Sequence, residues 1–171
     1  MGLNSEVREL LRQGREDAVA ELVVADRRAL RPLVGRLWDP DGEVRQRAAR
    51  AVGHAASVHT DLGVEVIRRL MWTLNDESAT NGVHAIPALG EIGRAAPDLI
   101  APYVSALVSM SHDEGLRLEL LQALTAIAGS APQLVADHLP YLSRSIDDSR
   151  PDEREAFRRL SAAAEGTGDD E

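Results

Sequence analysis

The sequence predicts an all-α fold, an α–α superhelix of about four stacked helical hairpins behind N-terminal capping helices. Three observations lead there. The 171 residues are 44% hydrophobic but only 3% aromatic, so the core has to be built from Ala, Leu, Val and Ile, which suits closely packed helices better than sheets. A helix-spaced apolar pattern also recurs. Leu30, Leu33, Val34 and Leu37 match Ile67, Leu70, Met71 and Leu74, then Val104, Leu107, Val108 and Ser111, then Leu139, Leu142, Ser143 and Ile146, at offsets of 37, 37 and 35 residues. Finally, a second apolar helix follows each of these windows. It runs through Ala48, Ala51, Val52 and Ala55, then Ala85, Ala88, Leu89 and Ile92, then Leu120, Ala123, Leu124 and Ile127, and more loosely Phe157, Leu160, Ser161 and Ala164. One such hairpin cannot bury its own apolar face, so neighbours must stack.

Taken in order, residues 1–25 read as the N-terminal cap, with helices in "SEVRELLRQ" and "REDAVAELVV". The first hairpin, 26–56, turns at "WDPDGE"; the second, 61–96, at "NDES"; the third, 98–131, at "SHDEG"; the fourth, 133–165, at "DDSRPDE". Asp, Ser, Pro and Gly are turn and N-cap residues. "AAPDL" and "SAPQL" mark boundaries between hairpins, because proline ends one helix and opens the next in its first turn. Residues 1–165 are thus expected to form a single domain, followed by an acidic disordered tail at 166–171.

The stretch "LVGRLWDPDGEVRQRAARAVGHAA" at 33–56 resembles the HEAT repeat family, in particular its short bacterial, phycobilin-lyase-type form. The likeness runs over roughly residues 26–165. It implies a HEAT-like solenoid in which Asp39 and Arg45 are the ladder pair tying successive repeats together, with Arg117 and Arg154 in the Arg45 position of the third and fourth repeats.

The second repeat departs from this pattern. Where the first has Val44-Arg45, and the others Leu116-Arg117 and Glu153-Arg154, it has Asn81-Gly82. Glycine in a helix costs about 1 kcal/mol relative to alanine. Pro87 stands where the other repeats have Arg50, Gln122 and Arg159; a helix-interior proline would cost about 3 kcal/mol and clash with the carbonyl of Val83. Trp72 falls in the column of Gly35, Ser109 and Arg144, a small or polar position. Two readings stand. In one, the departures are local packing, with Pro87 in the first turns of a late-starting helix and Trp72 filling space beside a small neighbour. In the other, this repeat carries a binding surface, since sequence rules tend to fail at functional sites. His84 and Glu91 would then share the inner face, two helical turns apart, with Asn75, Glu77, Ser78 and Asn81 along the rim.

Little in the sequence points to catalysis. There is no cysteine, which excludes disulfides, thiol catalysis and Cys-ligated zinc. The five histidines form no His-Glu dipeptide and no i, i+4 pair, so the di-iron motif of HEAT-like hydroxylases is missing, and no metal site or cofactor is expected. "GSAPQL" and "GEIGRAAP" fit repeat punctuation rather than a phosphate loop. No apolar run approaches a membrane span, and "MGLNSEVREL" lacks a signal-peptide core, so a cytoplasmic location without membrane contact is expected. All 19 basic residues are Arg, and the net charge is −9. Residues 1–75 carry 12 Arg against 11 acids; residues 76–171 carry 7 against 17. That balance disfavours nucleic acid as partner.

The function expected is therefore a non-catalytic scaffold or adaptor that recognises another protein through the inner surface around the second repeat. Trp72 would be its anchor, with Asn75, Glu77, Asn81, His84 and Glu91 beside it and Arg47 and Arg50 meeting acidic groups. The resemblance implies an alternative, a tetrapyrrole (bilin) lyase-like enzyme or enzyme subunit using Glu91, Trp72 and His84. A nucleic-acid-binding HEAT-like protein is a remote third.

Overall fold

The computed structural model describes residues 2–76 and 82–166. Glu77, Ser78 and Asn81, all expected at the rim, lie outside the described residues, as does most of the acidic tail. The described chain is helical throughout and contains no strand: α1 (Leu3–Arg12), α2 (Glu16–Ala25), α3 (Leu30–Gly35), α4 (Gly42–Val58), α5 (Thr60–Asn75), α6 (Ile86–Ala95), α7 (Pro97–Ile100), α8 (Val104–Ser109), α9 (Glu114–Ser130), α10 (Leu139–Ser143) and α11 (Pro151–Ala164). Short 3₁₀ turns, such as Arg36–Trp38 and Val83–Ala85, join or extend them.

Helix boundaries follow the punctuation. Asp41 caps α4 by accepting the Glu43 N–H at 2.9 Å, and Asp113 caps α9 through the Gly115 N–H at 2.8 Å. Pro97 and Pro151 open α7 and α11 in the first turn, where a missing N–H costs nothing. α1 ends at Gly14, whose φ of 70° lets the Arg15 N–H return to the Leu10 carbonyl at 2.9 Å.

The helices form two layers. α2, α4, α6, α9 and α11 pack tightly on one another in sequence, whereas α1, α3, α5, α7–α8 and α10 contact each other more loosely on the other side. A stack tighter on one side curves toward it, so the second helices line the concave face. The apolar columns read from the sequence form the seam between layers. Ala48, Ala51, Val52, Ala55, Ala85, Ala88, Leu89, Ile92, Leu120, Leu124 and Ile127 are all fully buried, each large aliphatic contributing about 1.5–3 kcal/mol by leaving water. Two glycines set the spacing of the concave layer. A Cβ on Gly53 would lie 2.7 Å from the Glu91 carbonyl oxygen, and one on Gly90 would lie 2.8 Å from Ala123 Cα. Backbone thus meets backbone between α4 and α6 and between α6 and α9.

The resemblance implied that Asp39 and Arg45 tie successive repeats together; the structure corrects this. The Asp39 carboxylate, fully buried, is held by Arg36 at 2.9 Å and by Arg8 of α1 at 3.2 Å. Arg45 turns instead to the Asp39 backbone carbonyl at 2.7 Å. The same clamp recurs: Arg117 donates to the Ser111 carbonyl at 2.8 Å and Arg154 to the Asp148 carbonyl at 2.9 Å, each six residues back. In the first, third and fourth hairpins these arginines thus satisfy backbone carbonyls in the connection after the first helix. Ties between hairpins are made by other residues: Arg8 on Asp39, Arg50 on Glu16 at 3.0 Å, Arg117 on Glu153 at 3.1 Å, and the Ser130 hydroxyl on the Arg94 carbonyl at 2.6 Å.

Candidate functional site

Across the concave faces of α4, α6 and α9 runs a groove of about 440 Å³. Its floor is small and rigid, made by Pro87 and Gly90 of α6 and Ala123 and Ala126 of α9. The backbone contact at Gly90 explains the concavity: a side chain there would both fill the groove and separate the helices. Its walls carry Arg45 and Gln46 of α4, His84 and Glu91 from the second repeat, and Glu119 and Gln122 of α9.

Pro87 stands in the opening turn of α6, and the Val83 carbonyl, which Pro87 cannot engage, accepts the Ile86 N–H in the preceding 3₁₀ turn. Gly82, where the clamp arginine is missing, is buried against Leu74, with a virtual Cβ 3.3 Å from Leu74 Cδ2 and 3.4 Å from Leu74 Cα. The second repeat thus lacks the guanidinium that fills this corner elsewhere, and His84 lies on the groove wall two residues on.

The electrostatics of the groove are uneven. Glu91 is engaged by Arg94 at 2.7 Å, and Arg45 donates to the carbonyls of Asp39 and Pro40. His84 and Glu119, both half-buried, have no ion pair or side-chain hydrogen bond among the described residues. A carboxylate and an imidazole open to the groove can accept hydrogen bonds from an ammonium, guanidinium or amide donor. No group of three metal-ligating side chains converges among the described residues.

Of the other expected site residues that are described, none joins His84 and Glu91 on the groove wall. Arg47 caps α1, donating to the carbonyls of Leu11 at 2.9 Å and Arg12 at 2.8 Å, and pairs with Glu43 at 3.2 Å. Arg50 binds Glu16 of α2 at 3.0 Å. Asn75 bonds its own helix through the Met71 carbonyl at 2.9 Å. Trp72 is 70% exposed on the outer layer; Gly35, Ser109 and Arg144, its column mates, are exposed too, so the column is a solvent-facing position of every first helix. Glu119 and Gln122 escaped selection, although the repeat register aligns them with His84 and Pro87. In a solenoid, column mates on neighbouring second helices become lateral neighbours, and that is the signal that would have found them.

Comparison with known proteins agrees with this architecture. No family model matches the chain. Over 122 residues, 65% of its length, the chain is 32% identical to Cullin-associated NEDD8-dissociated protein 2 of Mus musculus. The match spans 10% of that protein. The crystal structure of an engineered protein from the Northeast Structural Genomics Consortium superposes with a TM-score of 0.57 at 21% identity, over 98% of this chain and 86% of the other. This likeness is one of fold, and the chain is an all-α helical-repeat superhelix in which no described helix is long and apolar enough to cross a membrane.

Proposed function

We propose that this chain is a non-catalytic scaffold of the HEAT type that holds a partner protein in the groove over α4, α6 and α9. The observation that carries this reading is the pairing of a rigid, small-residue floor with two unengaged acceptors, His84 and Glu119, on its walls. Glu91 completes the acceptor side, while Arg47 and Arg50 act from behind, fixing α4 against α1 and α2. The groove suits a basic or amide-bearing side chain on a projecting segment of the partner. The mouse relative's name records an association with cullins, and by analogy this chain associates with another protein. A photo-crosslinking residue at Gln122 should capture one discrete partner, and Glu119→Arg should abolish that capture without altering the circular dichroism spectrum. Equal capture from a probe at exposed Arg154, or capture that survives Glu119→Arg, would refute the groove as the binding site.

A further inference from the structure

We propose that the convex seam between α3 and α5 is a second interface, which docks an acidic protein segment bearing an apolar side chain. The two helices stand far enough apart that a groove of about 320 Å³ opens between them, lined by Val34, Trp38, Arg69, Leu70 and Thr73. Beside it Trp72 exposes 70% of its surface. Arg68 and Arg69 lie four and three positions before Trp72, on the same solvent face of α5. Neither guanidinium has an ion pair among the described residues.

Acids outnumber arginines in the chain, whose net charge is −9, and many arginines are engaged: Arg28 by Asp26, Arg36 by Asp39, Arg94 by Glu91, Arg117 by Glu153, Arg158 and Arg159 by Glu155. Two unpaired guanidinia one turn before an exposed indole define the complementary ligand. Carboxylates meet the planar fork, and a Leu or Phe side chain lies on the indole and in the groove, where aromatic and Arg residues concentrate binding energy. Nucleic acid fits less well, because two guanidinia neutralise few phosphates and the net charge of −9 disfavours a polyanion.

The test uses the full chain and a short synthetic peptide of Asp and Glu carrying one Leu and one Phe. Its Lys/Arg twin and an oligothymidylate serve as comparisons, and the His84→Ala variant reports on the concave groove. The acidic peptide should shift tryptophan emission to the blue. Trp72→Phe should lose most of the shift, keeping only what Trp38 in the groove contributes, and added salt should weaken binding. Arg68→Glu with Arg69→Glu, both solvent-exposed, should lower affinity about ten-fold or more, while His84→Ala leaves it unchanged. Absence of the Trp72 shift, or equal affinity in the charge-reversed variant, would overturn the proposal. So would preferential binding of the oligothymidylate, which would make the seam a nucleic-acid surface. Concentration-dependent dimerisation lost in the charge-reversed variant would assign the seam to a second copy of the chain and overturn it as well.

Discussion

Replacing Gly90 by alanine separates helix propensity from packing. In an open helix the change stabilises by about 0.5–1 kcal/mol, since alanine is the better helix former and loses less backbone entropy. Gly129 of α9 offers that open case, with nothing within 4 Å of a virtual Cβ. At Gly90 the added carbon would lie 2.8 Å from Ala123 Cα and 3.0 Å from Ala123 Cβ. These atoms belong to the backbone and its first side-chain carbon, so no rotamer change relieves the contact and α6 and α9 must move apart. Overpacking of this kind costs about 1–3 kcal/mol. Gly90→Ala should therefore be less stable than Gly129→Ala by about 1–3 kcal/mol, from the same packing term. Urea unfolding followed by circular dichroism at 222 nm measures both, with m compared to confirm that cooperativity is retained. A difference below about 0.5 kcal/mol, the ordinary scatter of surface substitutions, would mean that the helices do not touch at Gly90. The explanation of the groove floor would fall with it.

The Glu153 carboxylate, fully buried, accepts from Arg117 at 3.1 Å, from Arg150 at 2.8 Å and from the Asp147 N–H at 3.2 Å. Glu153→Leu should destabilise by about 3–5 kcal/mol by stranding the Arg117 guanidinium, and adding Arg117→Met should recover a large part of the loss; additive effects across this double-mutant cycle would show that the pair is not coupled. Acid should also act through Asp39: burial raises its carboxyl pKa, but the Asp41 N–H, Arg36 and Arg8 outweigh burial and hold the carboxyl below the usual range. A folded-state value below the unfolded one stabilises above the unfolded pKa of about 3.9, and that stabilisation is lost as pH falls below it. Thermal midpoints should drop below about pH 4, and Asp39→Asn should make the drop shallower. A residual slope belongs to Glu155, which Arg158 and Arg159 hold at about 2, and to Asp26, Asp147 and Asp152, which hydrogen bonds from Arg28, Ser149 and Arg150 also lower. An unchanged slope in Asp39→Asn would remove Asp39 from this account.

How far the molecule could be read in advance differs between elements. The helix pairs were legible because their signal is redundant. Four aligned apolar windows, each bounded by Asp, Pro or Gly, leave few other ways to bury the same residues. The clamp arginines were legible as a column, but their partners were not, since a backbone carbonyl has no sequence signature. The resemblance paired Arg45 with the Asp39 carboxylate, whereas the structure gives it the backbone carbonyl of that same residue. Arg47 and Arg50 read as free cations because Leu11, Arg12 and Glu16, which engage them, lie more than thirty residues away.

The line between the two levels runs through Trp72 and His84. Periodicity follows from the fixed geometry of the helix, so one strand of text suffices to say that both residues sit on paired helices of a repeating stack. Which of them looks outward depends on how the hairpins curve. Curvature arises from contacts between residues about 37 positions apart, where Gly53 and Gly90 draw the second helices together while the first helices stay further apart. Those contacts put His84 in the concave groove and leave Trp72 on the convex side, a separation that no local pattern encodes.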